Sequence, residues 1–203
     1  MGQEAQCKVR VGKIVADGKA LLESTELIFR SDDLRMRIPF RQMTSIDAEG
    51  GWLRVESPDG PAAFQLGTHA AKWADKIKNP KSLIDKLGVK SGMRASVLGI
   101  HADSFLRDLK SRTSGITEGK PGKDSDLIFF GAENNDALEK IRTLSRSLKP
   151  NSALWVVYPK GQKHITESSV FAAGKRAGLV DVKVASFSAT HTALKFVIPV
   201  KNR

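Results

Sequence analysis

Residues 148–160, LKPNSALWVVYPK, carry the pattern that decides the fold. The Leu-Lys-Pro segment ends an amphipathic pattern, and residues 153–158 then form an unbroken apolar run, which predicts a strand. Residues 127–130, Leu-Ile-Phe-Phe, form a second run of the same kind. Because strands that are apolar on both faces are typical of parallel sheets covered by helices, we expect strands and helices to alternate around them.

The flanking sequence supports this alternation. Ser82 and Gly88 enclose a short apolar helix pattern in the positions of an N-cap and a C-cap. Further predicted elements are a strand at 94–98, a helix at 103–112, a helix from 135 or 136 to 148, a helix capped at 166 that ends near 178, and a final hairpin of strands at 180–187 and 193–200. Residues 113–123 are too few for another strand, helix and strand, so we predict a loop there.

The first 80 residues follow a different pattern, in which short runs of alternating apolar and charged residues are separated by turn signals. Val9 and Val11 alternate with lysine and arginine, and two glycine-containing turns enclose the strand pattern at 52–56. Helical spacing of apolar residues begins at Ala70 and stops at Asn79-Pro80. We therefore predict a β-rich domain over residues 1–80 and an α/β domain over residues 81–203.

Segments of the first domain resemble the pleckstrin-homology superfold. They are residues 38–46 (IPFRQMTSI), residues 51–55 (GWLRV) and Trp73 on the predicted closing helix. The resemblance implies an α+β domain, a pleckstrin-homology-like β-barrel or sandwich with a C-terminal helix. Some members of that family bind phosphoinositides, and many bind peptides or dock other domains. We interpret Trp73 as a core residue, because a helix that packs across a small barrel needs a large apolar anchor.

The second domain resembles class I S-adenosylmethionine-dependent methyltransferases. Residues 148–160 are similar to their fifth-strand region, residues 124–130 to their fourth strand, and the final hairpin to their last antiparallel pair. Residues 86–94, 178–183 and 192–197 resemble more closely a small bacterial family of uncharacterised proteins with a shortened form of this fold. The resemblance implies an α/β Rossmann-like domain with a mainly parallel sheet and a terminal antiparallel hairpin, and it makes S-adenosylmethionine a candidate cofactor.

Ligands of an open parallel sheet lie beyond the carboxyl ends of its strands. A candidate cofactor crevice therefore contains Gly99, His101, Gly131 and Tyr158, with Glu133 nearby. In the resembled family a glycine-rich turn follows the first strand, and an acidic residue ends the second strand and binds the ribose hydroxyls. Here the turn has one glycine, and Glu118 is either the counterpart of that acid or a glutamate in a solvated loop.

A candidate anion site precedes the helix that Thr166 caps. Its residues are Lys160, Lys163, His164 and Thr166, because the free backbone N–H groups of a helix N-terminus favour an anion. The alternative is a solvated loop with an ordinary N-cap. His191 and Thr190 fall in the turn of the last hairpin, where a polar turn is the simpler interpretation.

Charge is distributed unequally along the chain. The 33 Lys and Arg and 22 Asp and Glu give a net charge of +11. Residues 1–80 carry 12 basic and 11 acidic side chains, which leaves 21 basic and 11 acidic for residues 81–203. A basic surface attracts polyanions, but the lysines are dispersed and no aromatic residues alternate with them, so solubility alone is an alternative explanation.

Several other chemistries lack their motifs. The four histidines and single cysteine lack the spacing of a zinc site, and no Walker loop or nucleophile elbow is present, so we predict neither a metal site nor catalytic residues. No apolar run is long enough to span a bilayer, and the first residues lack a secretory signal, which with the single Cys7 predicts a cytoplasmic protein.

These observations predict a two-domain binding or interaction protein without catalytic activity, whose second domain is a degenerate methyltransferase-like domain. Its expected partner is another protein or a small anionic ligand. One alternative is an enzyme that uses S-adenosylmethionine or a nucleotide. The other is a protein that binds nucleic acid or another polyanion through the phosphate backbone.

Overall fold

The computed structural model describes residues 3–202. It divides the chain into two compact units, Met1–Lys81 and Ser82–Arg203. Within the described residues, none of the helices combines the length and the apolar character that crossing a membrane requires.

The first unit is built on one antiparallel sheet, sheet A. Its strands are β1 (Gln3–Val11), β2 (Ile14–Leu22), β3 (Glu26–Arg30), β4 (Arg35–Pro39), β5 (Ser45–Glu49), β6 (Trp52–Ser57) and β7 (Gly60–Gln65). They hydrogen-bond in the order β4-β3-β2-β1-β7-β6-β5, so β4 and β5 are the two edges. The helix α1 (Ala70–Lys78) follows β7 and packs on β5 and β6.

Alternation along these strands builds the core of the first unit. Val9, Leu53 and Phe64 each have a fully buried side chain, and the Phe29 ring lies edge-on to Phe64 with the ring centroids 6.2 Å apart. Trp73 of α1 is 1% exposed and belongs to the same core cluster. The interpretation of Trp73 as a core residue is therefore confirmed.

The second unit contains a mixed sheet, sheet B, and four short helices. Its strands are β8 (Arg94–Leu98), β9 (Gly115–Glu118), β10 (Leu127–Gly131), β11 (Ala153–Pro159), β12 (Val180–Ser186) and β13 (His191–Val197). The helices are α2 (Leu83–Lys86), α3 (Asp103–Arg112), α4 (Lys140–Ser145) and α5 (Glu167–Arg176). The sheet order is β12-β13-β11-β10-β8-β9, in which β8, β9, β10 and β11 are parallel and β13 is antiparallel to β11 and β12.

The connection from β9 to β10 crosses β8 without a helix. Parallel crossovers usually need a dozen or more residues, whereas residues 119–126 suffice here because the crossing point is made of small residues. The Gly122 N–H donates to Ser96 Oγ at 2.8 Å, and the Ser96 and Ser125 hydroxyl oxygens are 2.6 Å apart. The predicted loop at 113–123 is therefore wrong for residues 115–118, which form β9.

The predicted fold class, a pleckstrin-homology-like barrel or sandwich followed by a Rossmann-like domain, is wrong. Sheet A is a single curled sheet with two free edges, and sheet B is mixed, with few and short helices. Local patterns identified most of the strands and helices in the second unit. They did not determine strand order, because order depends on hydrogen bonds between segments that are distant in sequence.

An acidic side chain fastens the start of β10 to the start of β8. Asp126 Oδ2 accepts a hydrogen bond from the Arg94 backbone N–H at 2.9 Å, and Lys149 Nζ lies 3.3 Å from Asp126 Oδ1. The Arg94 N–H bond, followed by the bond and charge of Lys149, lowers the pKa of Asp126. Lys149 is the lysine of the Leu-Lys-Pro segment at 148–150, so this contact gives that lysine a structural role.

We expect Asp126→Asn to reduce the acid sensitivity of the fold. A carboxyl whose pKa is lowered by folding stabilises the protein above its unfolded pKa of about 4. This contribution is lost as the pH falls through the lower folded value. Urea unfolding at pH 6 and pH 3 should therefore show a smaller loss of stability in the variant than in the wild type. Asp181→Asn, at an exposed position on β12, is the control, and equal losses in the wild type and Asp126→Asn would contradict the prediction.

Candidate functional site

The carboxyl ends of four parallel strands lie along one edge of sheet B. β8 pairs with β9 and β10, and β10 pairs with β11, all in parallel register. The residues at or just after these ends are Gly99, Glu118, Gly131 and Lys160. Three predicted residues therefore lie at the same edge of the sheet: Gly99 after β8, Glu118 at the end of β9 and Gly131 at the end of β10.

Gly99 and Gly131 touch through their backbones. Gly99 has a φ of +65°, and a Cβ on it would lie 3.2 Å from the Gly131 carbonyl oxygen. A Cβ on Gly131 would collide with the Gly99 carbonyl oxygen. Both positions therefore require glycine, Gly99 for its left-handed backbone and Gly131 for its close approach to another backbone.

The loop after Gly99 leads into α3. His101 is exposed, and α3 begins at Asp103. The N-cap residue of α3 is Ala102, whose side chain cannot accept a hydrogen bond. The N–H groups in the first turn of α3, which follows the carboxyl end of β8, therefore have no side-chain cap. Asp103 places a carboxylate in this first turn, which already complements the positive end of the helix dipole.

Glu118 ends β9, directly beside β8. It pairs with Val97, and the N–H of Gly119 donates to the Val97 carbonyl oxygen at 3.0 Å. The Glu118 side chain is exposed, and its Oε1 lies 3.4 Å from Lys110 Nζ of α3. Glu118 therefore occupies the end of a strand, not a free loop, with its carboxylate accessible at the same sheet edge as Gly99.

Tyr158 is held in the core and not at the mouth of the crevice. Its side chain is 3% exposed and belongs to the cluster that α4 and α5 cover, and its hydroxyl donates to Glu167 Oε2 at 3.2 Å. Burial, followed by the negative charge of Glu167, raises the pKa of Tyr158. The phenol therefore remains protonated and anchors the first turn of α5.

The four residues of the predicted anion site lie in different surroundings. Lys160 Nζ donates to Ser186 Oγ at 2.9 Å and to the Ser188 carbonyl oxygen at 2.7 Å, so its ammonium is bound by the end of β12 and the turn after it. Thr166 forms a capping box with Ser169, which occupies N–H groups at the start of α5. Lys163 and His164 are exposed. Anion binding by this group stays a prediction.

A carboxylate and an imidazole meet at the same edge of the sheet, a pairing that the sequence did not indicate. His191 begins β13 opposite Pro159 of β11, and its Nε2 lies 3.6 Å from Glu133 Oε1. Its Nδ1 lies 2.9 Å from Thr190 Oγ1. The position of Glu133 after β10 was expected, but the approach of His191 depends on the pairing of β13 with β11. The sequence pattern predicts His191 in the turn of the last hairpin, and no local signal gives the register of β13 on β11.

Within residues 3–202, no three His, Cys, Asp or Glu side chains converge in a metal-binding group. The carboxyl-end site of sheet B therefore offers backbone N–H groups, a carboxylate at Glu118 and the imidazole–carboxylate pair of His191 and Glu133. These groups can form hydrogen bonds with hydroxyls and amines. The imidazole of His191 can also exchange a proton with such a group.

Comparison with solved structures finds methyltransferases. An S-adenosylmethionine-dependent methyltransferase from Aquifex aeolicus is 15% identical, and the match covers 62% of this chain and 93% of that one with a TM-score of 0.49. A putative type 11 methyltransferase from Sulfolobus solfataricus is 12% identical over 57% and 89% of the two chains, with a TM-score of 0.45. A TehB-like S-adenosylmethionine-dependent methyltransferase from Corynebacterium glutamicum is 14% identical over 64% and 96%, with a TM-score of 0.39.

No protein-family model matches the sequence, and no curated protein matches it. At these identities and TM-scores, the likeness assigns neither a family nor an activity to this chain.

Proposed function

We propose that the second unit binds S-adenosylmethionine, or an adenosyl compound of the same shape, at the carboxyl ends of β8 and β9. The observation that carries the proposal is the position of Glu118 at the end of β9, beside the strand that leads to Gly99. In the methyltransferases that the sequence resembles, an acid at this place binds ribose hydroxyls and a glycine turn lets the backbone approach the ligand.

The residues present fit such a ligand at two points. Gly99 has the left-handed backbone of a tight turn and carries no side chain over the strand end. Glu118 presents an accessible carboxylate, which accepts hydrogen bonds from vicinal hydroxyls. When bound, S-adenosylmethionine supplies an electrophilic methyl group. A role in binding without catalysis stays a prediction.

Thermal unfolding of the whole chain with and without S-adenosylmethionine tests this proposal. A ligand at 100 times its dissociation constant adds about 2.7 kcal/mol of stability, so the midpoint should rise by several degrees. Glu118→Gln should remove most of that rise. Glu139→Gln is the matched control, because Glu139 is also exposed and also forms an ion pair, with Arg176 at 3.7 Å. An unchanged midpoint at millimolar S-adenosylmethionine and S-adenosylhomocysteine would refute the proposal.

Methyl transfer is a second candidate, favoured by the pair of His191 and Glu133. Glu133 lies near Nε2 of the imidazole, so in the tautomer with a proton on Nε2 the Nδ1 atom accepts a hydrogen bond from the Thr190 hydroxyl. A substrate hydroxyl or amine that replaces the Thr190 hydroxyl at Nδ1 can then pass its proton to His191. The test is to measure S-adenosylhomocysteine formed by the wild type and by His191→Gln. Methyl transfer is supported if the variant forms none but still binds the ligand, and binding alone is supported if the wild type forms none.

A further inference from the structure

The first unit contains a groove of its own. It has a volume of about 690 Å³, within the range of small-molecule sites. It lies between the turn before β3, the segment after β4 and the end of α1, and its lining residues are Ser24, Thr25, Glu26, Pro39, Phe40, Arg41, Ile77, Lys78 and Pro80. All of these belong to the first unit.

The floor of the groove is apolar and offers few hydrogen bonds. Pro39, Phe40, Ile77 and Pro80 supply its apolar surface. The two prolines have no backbone N–H, and the Phe40 N–H already donates to the Thr25 carbonyl oxygen at 2.9 Å. An extended peptide gains affinity largely from main-chain hydrogen bonds, so this floor suits a hydrocarbon chain better than a peptide.

The charge on the rim is positive and unbalanced. The carboxylate in the groove, that of Glu26, accepts hydrogen bonds from Arg37 at 2.6 and 3.0 Å, and the Arg37 bond lowers the pKa of Glu26. Glu26 is therefore ionised and already neutralised. Arg41 and Lys78 are exposed and form no ion pair with any residue between positions 3 and 202.

We propose that this groove binds a free amphipathic carboxylate, an unbranched hydrocarbon chain with an anionic head. The chain lies on Pro39, Phe40 and Pro80, and the carboxylate lies between Arg41 and Lys78. The exposed hydroxyls of Ser24 and Thr25 are further donors at the rim. Burial of the chain supplies affinity in proportion to the apolar area, and the two cations select the charge of the head.

Calorimetric titration of the whole protein with decanoate tests the proposal. We expect saturable binding of decanoate, at least tenfold weaker binding of decyltrimethylammonium, which has the same chain and the opposite charge, and no binding of acetate. The double variant Arg41→Glu/Lys78→Glu should weaken decanoate binding at least tenfold. Lys72→Glu is the matched control, because Lys72 is exposed on the same helix but does not line the groove, and it should stay within twofold of the wild type.

Four results would overturn the proposal. The first three are no binding of decanoate at millimolar concentration, equal binding by the double variant, and equal binding of the cationic amphiphile. The fourth is tighter binding of a capped Leu-Glu dipeptide than of decanoate, which would assign the groove to a protein partner. Urea unfolding of each variant separates lost binding from lost folding, and none of these outcomes depends on whether the second unit binds S-adenosylmethionine.

Discussion

Replacing Trp155 with alanine should lower the free energy of unfolding by about 3–5 kcal/mol, the usual cost of truncating a large buried aromatic residue. Trp155 lies in the middle of β11 with no exposed surface. Its indole N–H donates to the Leu87 carbonyl oxygen at 3.1 Å, which fastens the end of α2 to the sheet. The variant therefore creates a cavity and also leaves a buried carbonyl oxygen without its donor.

A lysine contributes to the same contact. Lys195 Nζ of β13 lies 5.9 Å from the centroid of the Trp155 ring, and burial, followed by the charge of Lys183, lowers the pKa of Lys195. The ring offers this partly buried ammonium a cation–π contact, which alanine cannot supply.

Urea unfolding measures the effect of Trp155→Ala, and Trp155→Phe separates its two causes. Phenylalanine keeps most of the apolar volume and loses the N–H donor, so its loss should be about 1–3 kcal/mol, the cost of an unsatisfied buried polar group. Equal losses for the two variants would show that the hydrogen bond and not the packing dominates. A loss below about 1 kcal/mol for alanine would contradict the burial of the ring.

The strands of sheet B differ in how well the sequence predicts them. β10 and β11 are continuous apolar runs, because both of their faces are covered, and the sequence locates them directly. β9 escaped prediction because an edge strand of four residues, Gly-Ile-Thr-Glu, is half exposed and buries little apolar area. Its formation depends on Gly122 and Ser96 at the crossover, a contact between segments that are far apart in sequence.

In the candidate site, too, some residues could be placed from the sequence and others could not. Gly99 and Glu133 follow strands, so their place at the sheet edge follows from parallel order. Tyr158 was expected beside them, but its side chain is buried. Side chains alternate between the two faces of a strand, so Tyr158 shares the face of β11 that carries Leu154 and Val156, which pack against α4 and α5. Counting parity from Trp155 would have distinguished the two faces of β11. No local pattern could bring His191 to Glu133, because that approach is set by the register of β13 on β11.

Gly131→Ala should destabilise the second unit by about 1–3 kcal/mol, the usual cost of forcing an extra group into a packed site. The new methyl group would meet the Gly99 carbonyl oxygen, which is a backbone atom and cannot rotate away as a side chain could. Either β10 or the loop after β8 must move. Since Gly99 lies in that loop, the variant should also reduce the thermal shift with S-adenosylmethionine.

Gly115→Ala is the control for this prediction, because a Cβ at Gly115 of β9 meets no atom within 4 Å and the glycine does not have a positive φ. It should change stability by no more than about 1 kcal/mol, the range of a Gly to Ala change without strain. Urea unfolding and the ligand-induced thermal shift, measured on both variants, then test the contact and the site separately. A destabilised Gly131→Ala with an undiminished thermal shift would mean that the ligand does not depend on the backbone at Gly99. Wild-type stability would mean that the end of β10 does not touch the loop after β8, and the ligand site would then have to rest on Glu118 alone.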